Sequence, residues 1–275
     1  MKEKKPVIVV KYGGNAMTDD VLKQQVVKNI CLLQNYGYNV VIAHGGGPFI
    51  KQALLQANIE SEFIDGHRVT TPEAYEHVEK ALKGQVNGTL VKLINQSGYR
   101  GVGLSGKDGK IATAIKRLHK KEVDGHVEEY DLGQVGDVVS IDTQLLDLLL
   151  EHEFIPVLAC LAADVDSNEY NVNADMFAGH LAGALKAEKF VVLTDVDGLM
   201  RDIDDPASLV SELQISDISS LKDKQVIRGG MIPKTEACEI ALKNGAAAAV
   251  IINGTDPDQL LSVGRREPVG TTIVS

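Results

Sequence analysis

The sequence lacks the features that mark secreted, membrane-spanning or nucleic-acid-binding proteins. Its three cysteines, Cys31, Cys160 and Cys238, lie far apart in or beside apolar segments and form no Cys-x-x-Cys pair; reduced core residues are expected rather than a disulfide framework or a redox motif. No apolar run approaches the ~20 residues that span a bilayer. The basic start, Met1-Lys2-Glu3-Lys4-Lys5-Pro6, is followed only by Val7 to Val10 before Lys11, too little for a secretory signal core. A cytoplasmic protein without a membrane partner is the default expectation. Positive charge is in deficit: 28 Lys plus Arg against 38 Asp plus Glu give a net charge of −10. That balance repels a long polyanion, so nucleic acid is not an expected partner. A small anion is still admissible, because a few local cations and backbone N–H groups reverse the field inside one cleft.

Repeats, low-complexity tails and long linkers are missing as well. A length of 275 residues suits one large α/β domain or two closely joined lobes. Short Val- and Ile-rich runs alternate with amphipathic stretches, the pattern of parallel strands buried under helices. Core strands are predicted over Val7 to Tyr12, Asn39 to Ala43, Gly101 to Leu104, Phe154 to Ala159, Phe190 to Leu193 and Ala247 to Ile252. A helix is predicted from Asp19 to Tyr36, with Val21, Val26, Ile30 and Leu33 on one face and Gly37 as its stop. Further helices are predicted over Pro72 to Leu82, Thr143 to His152, Ala174 to Lys186 and Pro233 to Asn244. Two segments break the rhythm. From Ala112 to Gln134, β-branched residues alternate with charges around Asp124-Gly125, which predicts an inserted, exposed β-hairpin. From Asp202 to Arg228 a Ser- and Pro-punctuated polar stretch predicts a long surface connection with one short helix.

The chemistry-bearing residues cluster where strands end. The first strand runs into Lys11-Tyr12-Gly13-Gly14-Asn15, placing a lysine at the C-terminal edge of a buried strand, the edge at which open α/β sheets bind ligands. Glycines there let backbone approach an anion, and N–H groups entering the next helix can bond phosphate. Alone, the segment is equally a strand-to-helix turn beside a snorkelling lysine, and it is not a Walker A loop, since Gly-x-x-x-x-Gly-Lys-Ser/Thr is absent. The second strand ends His44-Gly45-Gly46-Gly47-Pro48; three glycines before a proline suited to a helix start point to a second anion site. His44 is expected to pack or bond backbone rather than act as a base. Arg228-Gly229-Gly230-Met231-Ile232-Pro233-Lys234 repeats the theme near the other end, and Asn171-Val172-Asn173-Ala174-Asp175 sets a carboxylate in the first turn of a helix. Asp175 either favours that helix end electrostatically or bonds both lysines and fixes them.

Taken together, these blocks resemble the amino acid kinase family and, within it, the branch that phosphorylates N-acetyl-L-glutamate in arginine biosynthesis. The resemblance also runs through Gly66-His67-Arg68-Val69-Thr70, Gly103-Leu104-Ser105-Gly106-Lys107-Asp108-Gly109 and Leu193-Thr194-Asp195-Val196-Asp197-Gly198. It implies a three-layer αβα sandwich on a mostly parallel sheet with β-hairpin insertions. It further implies an N-terminal lobe, 1–187, for the acyl amino acid and dimerisation, and a C-terminal lobe, 188–275, for ATP. Carried over position by position, Lys11 and Lys234 would stabilise the transferring phosphoryl group and Asp175 would hold both lysines. Gly13, Gly14 and Gly46 would offer N–H groups to phosphoryl oxygens, Gly46 and Gly47 would seat the substrate, and Arg68 with Asn171 would bind its α-carboxylate. Thr194, Asp195, Asp197, Gly198, Leu199, Met200, Gly229 and Gly230 would surround the nucleotide.

The chemistry agrees with that list. A carboxylate attacking a γ-phosphate brings two anions together, and a like-charge pair ~4 Å apart costs about 4 kcal/mol at an effective dielectric of ~20. The carboxylate is already ionised at neutral pH, so cations and positioning are needed more than a base. Mg²⁺ is implied with ATP, but no clustered carboxylates suggest a dedicated protein metal site; Asp195 and Asp197 read as a strand-end turn. The chain also departs from the family pattern: His67 stands where leucine is usual, and the hairpin lacks part of the familiar glycine-rich stretch. Kinases of N-acetyl-2-aminoadipate or of a carrier-bound analogue, and a non-catalytic N-acetylglutamate sensor, are the alternatives. A uridylate kinase would need a nucleoside site in place of Arg68 and Asn171, and an aspartokinase would carry a regulatory extension. The first strand begins too near Met1 for the N-terminal helix of arginine-inhibited hexamers, so a homodimer without arginine feedback is expected.

Overall fold

A computed structural model describes residues 5–123, 126–202 and 205–275. In chain order the strands are β1 Val7–Tyr12, β2 Asn39–His44, β3 Phe63–Ile64, β4 His67–Arg68, β5 Gly101–Ser105, β6 Ala112–Val123 and β7 His126–Ile141. They continue with β8 Ile155–Ala159, β9 Leu161–Ala163, β10 Glu169–Val172, β11 Lys189–Thr194, β12 Glu212–Gln214, β13 Ala249–Asn253 and β14 Thr271–Val274. The helices are α1 Asp20–Leu32, α2 Gly47–Gln56, α3 Pro72–Glu79, α4 Gly88–Gln96, α5 Gln144–Glu151, α6 Ala174–Ala184, α7 Ile218–Asp223, α8 Met231–Lys243 and α9 Asp258–Arg265.

The main sheet runs β12-β14-β13-β11-β1-β2-β8-β5. The six strands from β13 to β5 are mutually parallel, and the one antiparallel pairing among the described residues of this sheet joins β13 to β14. Each residue of β1 and β2 is buried, as continuous Val/Ile runs require when both faces of a sheet are covered. Alternate residues feed two cores. Val7, Val9, Val41 and Ala43 pack with Phe177 and Leu181 of α6 and Cys238 of α8. Ile8, Val10, Val40 and Ile42 pack with Val26 and Ile30 of α1, Leu90 and Ile94 of α4, and Leu260 of α9. The result is the expected αβα sandwich.

Local signals account for most boundaries. The Asp19 side chain accepts from Leu22 N at the start of α1, and Gly37, at φ 90°, stops the 3₁₀ turn that follows. Val21 departs from expectation: it is 68% exposed and off the apolar face. The helix predicted over Pro72 to Leu82 continues instead to Gln96, through a π-helical stretch, Lys80–Asn87, between α3 and α4. The predicted hairpin is β6 and β7, longer than the sequence suggested and closing a small second sheet with β9 and β10; its expected turn, Asp124-Gly125, lies outside the described residues. The 202–228 connection carries the short helix α7.

Candidate active site

Period two in β1 decides where its lysine goes: Val7, Val9 and Lys11 share a face, and that face is covered by α6 and α8. Lys11 is 7% exposed. Its Nζ lies 2.9 Å from Asp175 Oδ1, and Lys234 Nζ, from the first turns of α8, lies 3.8 Å from Asp175 Oδ2. One buried carboxylate thus meets both lysines named by the sequence, and two cations on one anion leave a net positive charge beside the cleft. Burial would raise the Asp175 carboxyl, but the Lys11 and Lys234 charges outweigh it and hold the group below its ordinary value. Burial lowers Lys234, with Asp175 opposing and Lys11 adding to the shift.

The convergence depends on how tightly α6 and α8 pack. A Cβ on Gly179 would stand 2.5 Å from the Ala237 carbonyl oxygen, and one on Gly183 would stand 2.4 Å from Asn244 Cβ. Glycines one helical turn apart therefore let the helix carrying Asp175 press against the helix carrying Lys234. At the head of α6, Asn173 Oδ1 accepts from the backbone N–H of Asp175 and of Met176 at 2.9 and 3.2 Å, which fixes the turn on which the carboxylate sits.

Both glycine loops meet this point. Gly45 donates its N–H to Tyr12 O at 3.3 Å. A Cβ on Gly13 would lie 3.4 Å from Lys11 Nζ and 3.8 Å from Gly45 N, and one on Gly45 would lie 3.0 Å from Ala174 Cβ. Gly14, at φ 78°, and Gly47 have open space around them. Gly46 caps α2, and a side chain there would strike Leu82 at 2.7 Å. The N-terminus of α2, which has no side-chain cap, and the positive dipole end of α6 therefore open toward Lys11. His44 is fully buried, with Nδ1 2.9 Å from Gly45 O and Nε2 2.9 Å from Asn87 Nδ2. Burial pushes it down to about 4, so it is a neutral spacer under the loop, as its sequence position suggested. Asn87 also donates to Val157 O at 2.9 Å. It went unnoticed in the sequence because it is carried inward by the π-helical stretch, which amphipathic spacing does not reveal.

The residues expected around a nucleotide follow β11. Asp197 Oδ1 accepts from Asn253 Nδ2 at 2.9 Å and from Gln259 Nε2 at 3.3 Å, and Leu199 N donates to Thr271 Oγ1 at 2.8 Å. Gly198 has φ 142° and leaves no room for a Cβ beside that threonine. Thr194 Oγ1 lies 3.3 Å from Asp195 Oδ1, and the Asp195 charge is felt at Lys234. Met200 bridges to Leu209. Gly229, at φ 52°, and Gly230 lead into α8 in open space. Among the described residues, no three His, Cys, Asp or Glu side chains converge as a metal cage would require.

Arg68 and Asn171 line a separate small cleft of about 80 Å³, together with His67, Arg117 and Asn173. Arg68 donates to Ser61 Oγ and lies 4.5 Å from the Phe63 ring. Burial lowers its pKa, leaving a partly desolvated guanidinium ready for an anion. Asn171 Nδ2 reaches Thr70 Oγ1 at 3.5 Å. Arg117 comes from β6 and was not singled out in the sequence; among the alternating charges of a hairpin it has no distinguishing local signal.

Residues 6–253 match the amino acid kinase family. The acetylglutamate kinase of Methanococcus aeolicus is 45% identical over 267 residues, covering 97% of this chain and 91% of that protein. That of Bartonella henselae is 45% identical over 277 residues, covering 100% of this chain and 91% of its own length. Among solved structures, carbamate kinase from Giardia lamblia bound to AMP-PNP superposes with a TM-score of 0.69 at 15% identity, covering 98% of both chains, a likeness of fold.

Proposed function

Because the chain belongs to the amino acid kinase family, we propose that its cleft transfers the γ-phosphoryl group of ATP to the side-chain carboxylate of N-acetyl-L-glutamate, giving N-acetyl-L-glutamyl 5-phosphate in arginine biosynthesis. The observation that carries the reading is the meeting of Lys11 and Lys234 on the buried Asp175, in a chain 45% identical to acetylglutamate kinases over nearly its whole length.

The mechanism follows from charge. A carboxylate oxygen of the substrate forms a bond to the γ-phosphorus while the bond to the β–γ bridging oxygen breaks and ADP departs; no proton has to move. Negative charge grows on the equatorial and leaving oxygens, and Lys11 and Lys234, positioned by Asp175, offset it from the protein side. Gly13, Gly14 and Gly46 present N–H groups to the migrating phosphoryl oxygens, and Gly46 with Gly47 seats the reacting carboxylate. Arg68 and Asn171 take the α-carboxylate, so the substrate spans from the acyl cleft to the lysines. The nucleotide lies along Thr194, Asp195, Asp197, Gly198, Leu199, Met200, Gly229 and Gly230. On this reading 1–187 form the acyl amino acid lobe and 188–275 the ATP lobe. Mg²⁺ would be held mainly by the phosphate oxygens of ATP, and such an ion would screen the triphosphate charge. No described helix is long and apolar enough to cross a membrane; the enzyme is proposed to act in the cytoplasm as a homodimer.

The test is a hydroxylamine trap with ATP, Mg²⁺ and a panel of N-acetyl-L-glutamate, L-glutamate, N-acetyl-L-aspartate and N-acetyl-2-aminoadipate. Acyl phosphates yield hydroxamates, and the N-acetylglutamate signal is expected to dominate. Silence with every acid would remove the kinase reading, and a larger aminoadipate signal would move the substrate.

A further inference from the structure

Two guanidiniums face the acyl cleft in different electrostatic states. Among the described residues Arg68 has no carboxylate partner; it meets a hydroxyl and an aromatic ring. Arg117 is already neutralised, with Nη1 2.8 Å from Asp137 Oδ1. Its Nη2 lies 3.3 Å from His67 Nε2. An arginine is only ever a donor, so that ring nitrogen must be the unprotonated one and His67 a neutral imidazole. Burial and the neighbouring Arg117 and His119 charges favour the same state. The ring of His119 lies 5.4 Å from that of His67, tilted by 49°, and bonds Asp65 at 2.8 Å, so the hairpin strand β6 is braced against the turn between β3 and β4.

Resting on the kinase reading above, we propose that Arg117 is a specificity residue that reads the N-acyl group of the substrate, accepting a neutral acyl carbonyl and rejecting a free α-ammonium. With the α-carboxylate on Arg68 and Asn171, the nitrogen substituent on the same carbon falls in the same cleft of about 80 Å³, which Arg117 also lines. A second carboxylate would find Arg117 already matched by Asp137. A carbonyl oxygen needs only an N–H, which the guanidinium still has to give. An ammonium would set donor against donor, with no carboxylate among the lining residues to accept from it. His67 acts as a positioning residue, steering the Arg117 fork without touching substrate. A leucine at that place could not accept that bond.

The test compares Arg117→Met and Arg117→Lys with the unsubstituted protein, using N-acetyl-L-glutamate, N-formyl-L-glutamate and L-glutamate, by hydroxamate kinetics and by calorimetric binding of each acid. For Arg117→Met, KM for the two acylated acids is expected to rise about 10–100-fold, the loss of a charge-assisted hydrogen bond. KM for L-glutamate should stay level or fall, so the ratio of kcat/KM between acylated and free acid drops at least tenfold. Arg117→Lys keeps a cation for Asp137 without the planar fork, and is expected to lose most of the same ratio; it decides the matter if the Met variant does not fold. An equal rise in KM for acylated and free acids would overturn the proposal and make Arg117 a brace only. Should the unsubstituted protein give no hydroxamate, the kinase reading fails by itself, and the binding ratio still decides whether Arg117 reads the acyl group.

Discussion

The phosphoryl centre and the acyl cleft solve opposite problems. The centre is rigid: Lys11 and Asp175 are each 7% exposed, set on β1 and α6, with α8 held close by glycines at the crossing. The cleft is assembled from peripheral pieces: the two-residue strands β3 and β4, one end of β10, and the long β6–β7 hairpin. A step that spreads charge over oxygens needs fixed cations, because any reorganisation of the site adds to the barrier. Choosing among acids that differ in one substituent needs side chains that can be exchanged without disturbing the sheet. The two regions should therefore fail differently when altered.

The largest contrast is expected from the lysines. Lys11→Met or Lys234→Met should lower kcat by about 10²–10³-fold, as for the loss of one preorganised charge-stabilising donor, with a smaller change in KM for N-acetylglutamate. Steady-state kinetics with both substrates varied checks this, and a change confined to KM would erase the distinction between the regions. Arg68→Ala should show the mirror image, KM rising by about 10–100-fold for a lost charged hydrogen-bond partner with kcat less affected. An unchanged KM would remove Arg68 from carboxylate binding.

Gly179→Ala tests whether the rigidity is real. Its Cβ would lie 2.5 Å from a backbone oxygen of α8, so α8 has to move, at a cost of about 1–3 kcal/mol typical of overpacking. Lys234 moves with the helix, so kcat should fall while KM for the acid stays near its original value. Denaturant unfolding and kinetics on the same sample measure both. Full activity in a destabilised variant would show that the centre tolerates displacement.

The same contrast explains which parts could be read from the sequence. Strands at the sheet centre announced themselves by continuous Val and Ile runs, and Lys11, Asp175 and Lys234 were found because each sits at a strand end or helix start marked by glycine, asparagine or proline. In the structure both lysines meet Asp175, at 2.9 and 3.8 Å. Arg117, Asn87, Asn253 and Gln259 were missed. Each acts through a contact with residues distant in sequence, such as Asn87 with His44 or Asn253 with Asp197, and no local periodicity encodes such a pairing. Val21 was misplaced for a related reason: it sits at the start of α1, before the apolar stripe settles against the sheet, and is exposed. The π-helical stretch shifted the helical phase between α3 and α4, so a strict 3.6-residue period could not be followed across it.

The smallest expected effect concerns His44, which belongs to the rigid region though it touches no reacting atom. Its buried imidazole is pushed down to about 4, against ~6.5 in an unfolded chain. The folded state thus favours the neutral ring, and the stability this contributes is complete above about 6.5 and is lost as pH falls toward about 4. From pH 7 to pH 6 the loss should be a little under ~1 kcal/mol, growing to about 3 kcal/mol at full protonation. Other groups titrate in the same range, so the informative quantity is a difference of slopes. His44→Asn cannot bind the proton, and its unfolding free energy, measured in urea at several pH values, should depend on pH less steeply by that amount. Its absolute stability should be lower throughout, because the link from Gly45 O through the ring to Asn87 is broken. Equal slopes in the two proteins would mean that the ring is solvated or charged in the folded state, and the floor beneath the glycine loop would then be softer than the lysine–aspartate centre beside it.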